Sequence, residues 1–189
     1  MPGRPRSEEA RLATLHAAGE LLLEKGLADA SMDAIAERAG VSKATIYRWW
    51  PSKEMLALDA LFTDWSGPLE AVPDTGSLRG DLLANLGRWA RLNRRHPYAR
   101  VIAALVAEAH SNPVFMEHYR REFVEVRRGA TRVLLRRAIE RGELSPEADV
   151  ELALDCLYGP LYHRLLNRHR PLSEAFVRAV IVVVLAGLR

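Results

Sequence analysis

The sequence predicts an all-α fold of nine helices. Three observations carry that expectation. Every periodic stretch repeats its apolar residues at helical spacing, and no alternating Val/Ile/Thr run with hairpin turns occurs. The one β-branched cluster, Val180 to Val184, lies inside a longer helical pattern. Serine or asparagine caps and glycine or proline stops mark most of the segment ends.

The elements follow in order. Ser7 is expected to cap the first helix, with Glu8 and Glu9 in its opening turn, where carboxylates complement the helix dipole. That helix carries Leu12, Leu15, Leu22 and Leu23 on one face and stops at Gly26. Ser31 caps a short second helix that ends at Ala39 before Gly40. Ser42 caps a third, running to about Trp50, where Pro51 stops it. Ser52 caps a fourth, from Lys53 to about Trp65. The proline-, glycine- and serine-bearing stretch 66–77 marks a boundary or long loop. Five helices follow, at 78–96, 98–111, 113–141, 150–168 and 174–188. Asn112-Pro113 forms a cap and first turn, Gly142 a stop and Ser173 a cap, while Gly159-Pro160 is expected to kink the eighth helix. The expected domains are 1–56, an N-terminal arm and reading head, and 57–189.

Composition excludes several classes. The chain of 189 residues is 49% apolar and 27% charged, which fits a buried core rather than a disordered chain. Its longest apolar run, 179–188, is too short to span a bilayer, and the first residues lack the apolar region of a secretory signal. A cytoplasmic protein without a membrane partner is expected. One cysteine, Cys156, excludes an internal disulfide and Cys-based metal clusters, and it reads as a small core residue. The six histidines show no i, i+3 or i, i+4 ligand pair, so no metal site is expected. No phosphate-cradling glycine loop, nucleophile elbow or Ser/His/Asp set can be assigned, so the chain is read as a non-enzyme without cofactor.

Charge points to one segment. The net charge of +3 is modest, and residues 1–56 hold eight basic and eight acidic residues. Between Arg38 and Lys53, however, there are four basic residues and no acidic one. The same segment has the spacing of a helix-turn-helix: Ile35, Ala36 and Ala39, then Val41 in the turn, then Ile46 and Trp50. If those residues pack inward, the third helix turns Lys43, Ala44, Thr45, Tyr47 and Arg48 outward near its N-terminal end, the end that enters the major groove in such motifs. Lys43 and Thr45 can reach base edges or phosphate, Ala44 a thymine methyl, and Tyr47 a phosphate. Lys53 opens the fourth helix, where free amides add to its charge as a phosphate site. Arg4 and Arg6 sit on a short arm expected to be extended, of a kind that can lie in a narrow minor groove.

The run Ser31-Met32-Asp33-Ala34-Ile35-Ala36-Glu37-Arg38-Ala39-Gly40-Val41-Ser42-Lys43-Ala44-Thr45-Ile46-Tyr47-Arg48-Trp49-Trp50-Pro51-Ser52-Lys53-Glu54 strongly resembles the DNA-binding domain of TetR-type transcriptional regulators. The match spans about residues 10–57. Ala44 stands in place of the usual glycine, and Trp49 where a polar or smaller aromatic residue is common. Residues 78–189 resemble one branch of the family, most visibly at Glu143-Leu144 and Leu157-Tyr158-Gly159-Pro160-Leu161-Tyr162. The resemblance implies an all-α homodimer that binds double-stranded palindromic operator DNA and is released by a small-molecule effector held in the C-terminal domain. It adds Ser31, Ser42 and Trp49 to the DNA-binding set.

Two further sets complete the reading. Trp65, Trp89, Tyr119, Phe123, Tyr158 and Tyr162 are candidate effector-pocket residues, because a mostly apolar space between helices with a few polar groups is a common ligand site. The last helix is apolar over more than one face, which predicts burial on most sides. With the homodimer that the resemblance implies, that helix packs with the eighth against a twofold-related copy, which places Leu161, Phe176, Val180, Val183 and Val184 at a dimer interface; burial within one chain is the alternative. The alternative function is a DNA-binding regulator without a small-molecule ligand, constitutive or controlled by a protein partner.

Overall fold

The computed structural model describes residues 4–61, 63, 72–95 and 98–188, with residues 4–7 and 92–95 described by backbone alone. Among the described residues there are nine helices and no strand. They are α1 (Arg4–Asp29), α2 (Met32–Ala39), α3 (Lys43–Tyr47), α4 (Lys53–Ala60), α5 (Leu78–Arg95), α6 (Tyr98–Ser111), α7, α8 (Val150–Asn167) and α9 (Glu174–Gly187). Helix α7 runs over Pro113–Tyr119, passes through a π-helical turn at Arg120–Val124, and continues over Glu125–Glu140. Ser31, Ser42, Ser52, Asn112 and Ser173 each accept the amide three residues on, so the expected caps form.

The chain packs as two compact units, and they do not follow a single cut at 56/57: residues 100–123 join the N-terminal helices. In the first unit, α1 packs on α2 and α4, α3 on α2, and α4 on the start of α7. Leu15, Ala18, Leu22, Ile35, Ile46 and Leu56 are its buried centre. Leu12, expected on the inward face of α1, is 47% exposed, because it lies at the edge of the stripe centred on Leu15, on the side of exposed His16 and Glu20. Helix α1 starts at Arg4 rather than Ser7, since proline is tolerated in a first turn and Pro5 falls there. The expected extended arm at Arg4 and Arg6 is thus helical in its backbone. At Gly26 the chain takes φ 83° and ψ 176°, a conformation costly for any other residue, and a Cβ there would stand 3.3 Å from the Arg100 guanidinium.

The second unit gathers α5, the later part of α7, α8 and α9. Helix α5 packs on α7 and α9, and α8 on the same two helices. Leu82, Leu86, Leu134, Leu157, Val177 and Ile181 form its core. Two polar networks are built into it. Asp81, with no exposed surface, accepts the Thr75 N–H at 2.6 Å, the Thr75 hydroxyl at 2.8 Å and Arg141 Nη2 at 3.3 Å. Burial pulls the Asp81 carboxyl upward, but these hydrogen bonds outweigh it and hold the group below the ordinary carboxylate value. The second network is a relay of hydroxyls. The Asn85 amide donates to Thr131 Oγ1 (2.9 Å), Thr131 and Tyr158 share a bond of 2.9 Å, and Tyr158 donates to the Arg127 carbonyl at 3.0 Å. Helix α8 continues through Gly159-Pro160 without a break. Cys156 is exposed rather than part of the core, because its position on α8 opens onto an apolar groove shared with α9.

Candidate nucleic-acid interface

The site is built on α2 and α3. The Ser31 hydroxyl accepts the Ala34 N–H at 3.2 Å and starts α2; Gly40, at φ 66°, ends it. The left-handed turn lets the Gly40 N–H reach the Glu37 carbonyl (3.2 Å) and the Val41 N–H the Ala36 carbonyl (3.0 Å). Ser42 then accepts the Thr45 N–H at 3.2 Å and opens α3, so two residues separate the end of one helix from the cap of the next. Ile35, Ile46 and Trp50 are buried and orient α3. The helix ends at Tyr47, shorter than expected: Arg48 to Trp50 form a turn, in which the Trp49 and Trp50 amides both donate to the Ile46 carbonyl. Pro51 enforces this by disfavouring helical backbone at the residue before it.

Inward packing leaves one face open. Lys43, Ala44, Tyr47, Arg48 and Trp49 are exposed, Tyr47 by half of its surface, while Thr45 is half-buried with its hydroxyl 3.0 Å from that of Ser42. Lys53 begins α4 and its Nζ donates to the Ala28 carbonyl at 3.3 Å. The structure therefore brings Ser42, Lys43, Ala44, Thr45, Tyr47, Arg48 and Trp49 onto α3 and its two ends, with Ser31 at the cap of α2 and Lys53 in the first turn of α4. The side chains of Arg4 and Arg6 lie outside the described residues.

Two acidic partners qualify the basic stretch. Lys43 Nζ stands 2.8 Å from Asp33 Oδ1, a bond that raises the lysine pKa. Arg38 is held by Glu24 through two bonds of 2.7 and 2.9 Å, so its charge is met from α1. Arg48 has no ion partner among the described residues. Sequence reading also passed over Asp59. Its carboxylate accepts the Trp50 indole N–H at 2.7 Å and so ties the turn after α3 to α4. A lone acid in the run Leu56-Ala57-Leu58-Asp59-Ala60 was the available signal, because a charge amid buried apolar residues has to find a partner.

The remaining candidates fall in different places. Tyr119 and Phe123 are buried in the first unit with rings stacked at 5.0 Å. Trp89 and Tyr162 are in the second unit with ring centroids 5.5 Å apart, and Tyr158 of the hydroxyl relay lies one helical turn before Tyr162 on α8. Trp65 lies outside the described residues. None of these lines the apolar groove of about 600 Å³ along α8 and α9, whose walls include Cys156, Pro160, Phe176, Val180, Val183 and Val184. Val183 is 73% exposed. Leu161, expected at the same interface, has no exposed surface and belongs to the protomer's own core, because it lies on the inward side of α8 with Leu154, Leu157 and Leu165. Among the described residues no group of three His, Cys, Asp or Glu is placed to hold a metal ion, and no helix is long and apolar enough to cross a membrane.

Comparisons with known proteins agree with this geometry. Residues 15–60 match the family described as bacterial regulatory proteins, tetR family, and residues 72–184 match the tetracyclin repressor-like C-terminal domain. An uncharacterized HTH-type transcriptional regulator of Bacillus subtilis (strain 168), YdeS, is 38% identical over 99% of this chain and 93% of its own length. The DNA-binding transcriptional repressor TetR of Mycobacteroides abscessus is 32% identical over 97% of this chain and 95% of its own. Among solved structures, TetR family transcription regulator SCO0332 superposes with a TM-score of 0.83 at 40% identity, over 96% of this chain and 99% of the other. FadR from Bacillus subtilis, crystallised with stearoyl-CoA, shares the fold at a TM-score of 0.73 and 21% identity, over 94% and 99%. The family matches cover the helix-turn-helix and the C-terminal helices alike, and the chain belongs to the TetR family of DNA-binding transcriptional regulators.

Proposed function

We propose that the protein is a ligand-responsive repressor that binds a palindromic operator as a homodimer. The observation that carries the reading is α3 itself, pinned from behind by Ile46 and Trp50 and open in front at Lys43, Ala44, Tyr47 and Arg48. In the major groove, Lys43 and Arg48 supply donors for base edges or phosphate, Ala44 meets a thymine methyl, and Thr45 adds a hydroxyl. Tyr47, Trp49 and Lys53 flank these as backbone contacts, with the amides behind Ser31 and Ser42 at the ends of α2 and α3. Arg4 and Arg6 reach the adjacent minor groove from the start of α1.

The dimer supplies two half-sites one helical turn apart. Phe176, Val180, Val183 and Val184 of α9, together with the α8 wall of the groove, face the second copy. An effector bound in the C-terminal half near Trp89, Tyr158 and Tyr162 then selects a state in which the two heads no longer match successive grooves. The name of the Mycobacteroides relative favours repression over activation.

Val183→Glu tests the arrangement. At 73% exposure in the protomer, a glutamate there leaves the fold of one chain untouched. Across a twofold axis it buries two carboxylates and removes two valine contacts, each worth roughly 1.5 kcal/mol or more. The expected result is a monomer in sedimentation with an unchanged helical spectrum and lost operator binding. A variant that still sediments as a dimer and binds the operator like the wild type would overturn the interface.

A further inference from the structure

The loop between α8 and α9 carries charge that DNA reading and dimer formation leave unused. From Cys156 to Ser173 the sequence holds no acidic residue, yet it holds Arg164, Arg168 and Arg170. In the structure these three residues line one cavity of about 230 Å³, walled elsewhere by Ala99, Leu165, Pro171 and Leu172. It shares no wall residue with the apolar groove. No carboxylate among the described residues pairs with any of the three arginines. Arg164 is oriented without being neutralised: Nη1 donates to the Pro171 carbonyl at 3.0 Å, and the guanidinium lies 3.3 Å over the Phe176 ring. Three unpaired cations converging on one small space repel one another, and an anion placed among them relieves that repulsion.

The backbone adds a second, independent observation. Arg168 ends α8 at φ 53° and ψ 20°, the one left-handed residue other than glycine among the described residues. Glycine or asparagine occupies such a position with less strain. A long charged residue that lines the cavity is held there at a cost in backbone energy, the kind of local strain that accumulates at ligand sites.

We propose that Arg164, Arg168 and Arg170 form a binding site for the phosphoryl group of a small phosphorylated compound. Charge selects phosphoryl over carboxylate. A phosphate monoester carries nearly two negative charges at neutral pH and three acceptor oxygens, enough to engage three guanidinium forks, whereas a carboxylate carries one charge. The cavity leaves room for a modest apolar portion of the same compound against Leu165 and Leu172.

Titration calorimetry on the full-length protein, with phenyl phosphate as probe and benzoate as the carboxylate control, tests the site. Arg168→Gly is the informative variant, because glycine relaxes the left-handed position and keeps the protein folded. The wild type should bind phenyl phosphate in preference to benzoate, and Arg168→Gly should weaken that binding by roughly tenfold or more while melting no lower than the wild type. Equal phenyl phosphate affinity in the Arg168→Gly/Arg170→Gln double variant would overturn the proposal, as would absence of binding at millimolar probe. If phenyl phosphate fails to bind, but the double variant lowers the salt dependence of binding to random duplex DNA, the loop is a DNA-backbone contact and the small-molecule reading falls.

Discussion

Replacing Asp59 by alanine isolates what holds the reading head to α4. Trp50 is 3% exposed, and its indole N–H has the Asp59 carboxylate as acceptor at 2.7 Å. Without the carboxylate the part-buried indole N–H loses its acceptor, at a cost of up to about 1–3 kcal/mol. For a chain of this length each kcal/mol shifts the melting temperature by roughly 2–4 °C. Asp59→Asn keeps an acceptor oxygen in place and forfeits only the charge assistance, about 1 kcal/mol or less. The reasoning thus predicts an ordering, with the wild type above Asp59→Asn and Asp59→Ala lowest by a clear margin. Scanning calorimetry of the three proteins at one concentration reads it directly. Coincident melting of the alanine and asparagine variants would refute the argument, because the bond rather than the bulk of the side chain is what it invokes.

Acid stability offers a second check, at Glu151. Hydrogen bonds from Arg132 (Nε, 2.6 Å) and Arg128 (Nη2, 2.8 Å) hold its carboxyl at about 2, against an ordinary 4.5. A carboxyl whose value is lower in the folded chain contributes its full stability above pH 4.5 and loses it as pH falls toward 2. Glu151→Gln should therefore flatten the decline of stability in that window, and parallel denaturation curves for variant and wild type from pH 5 downward would contradict the assignment. At the reading head, Asp33→Asn frees Lys43 from its 2.8 Å partner and removes a negative charge from the DNA-facing side. Operator affinity at low salt should rise, by up to about fivefold, with the gain fading as salt is added. Weaker binding by this variant would mean that Asp33 positions Lys43 for DNA instead of competing for it.

Much of this architecture was written locally. A serine or asparagine hydroxyl or amide oxygen caps whatever helix follows it, and the cap depends on only three residues of sequence, so the starts of α2, α3, α4, α7 and α9 could be read from Ser31, Ser42, Ser52, Asn112 and Ser173. Gly40 was legible for the same reason. Features decided by packing were not. The Arg38–Glu24 pair joins residues 14 positions apart on two helices, and nothing in the basic run between Arg38 and Lys53 betrays that α1 answers part of its charge. Cys156 and Leu161 lie on one helix, and apolar character alone could not show that the first faces the groove and the second the core. The π-helical turn at Arg120–Val124 inserts a change of phase into α7 that helical periodicity absorbs without a visible mark. In the candidate site, the outward residues of α3 followed from the inward ones, whereas Asp33 and Asp59 became visible as partners only once α2 and α4 were in place.

The central claim is that α3 reads DNA in pairs. Sequencing the duplexes that the full-length protein enriches from a random pool tests it most directly. The account predicts an inverted repeat whose half-sites are centred about one helical turn apart, with enrichment lost in a Lys43→Ala/Arg48→Ala variant. Enrichment of a single, unrepeated motif, or of the same repeat by that variant, would contradict it.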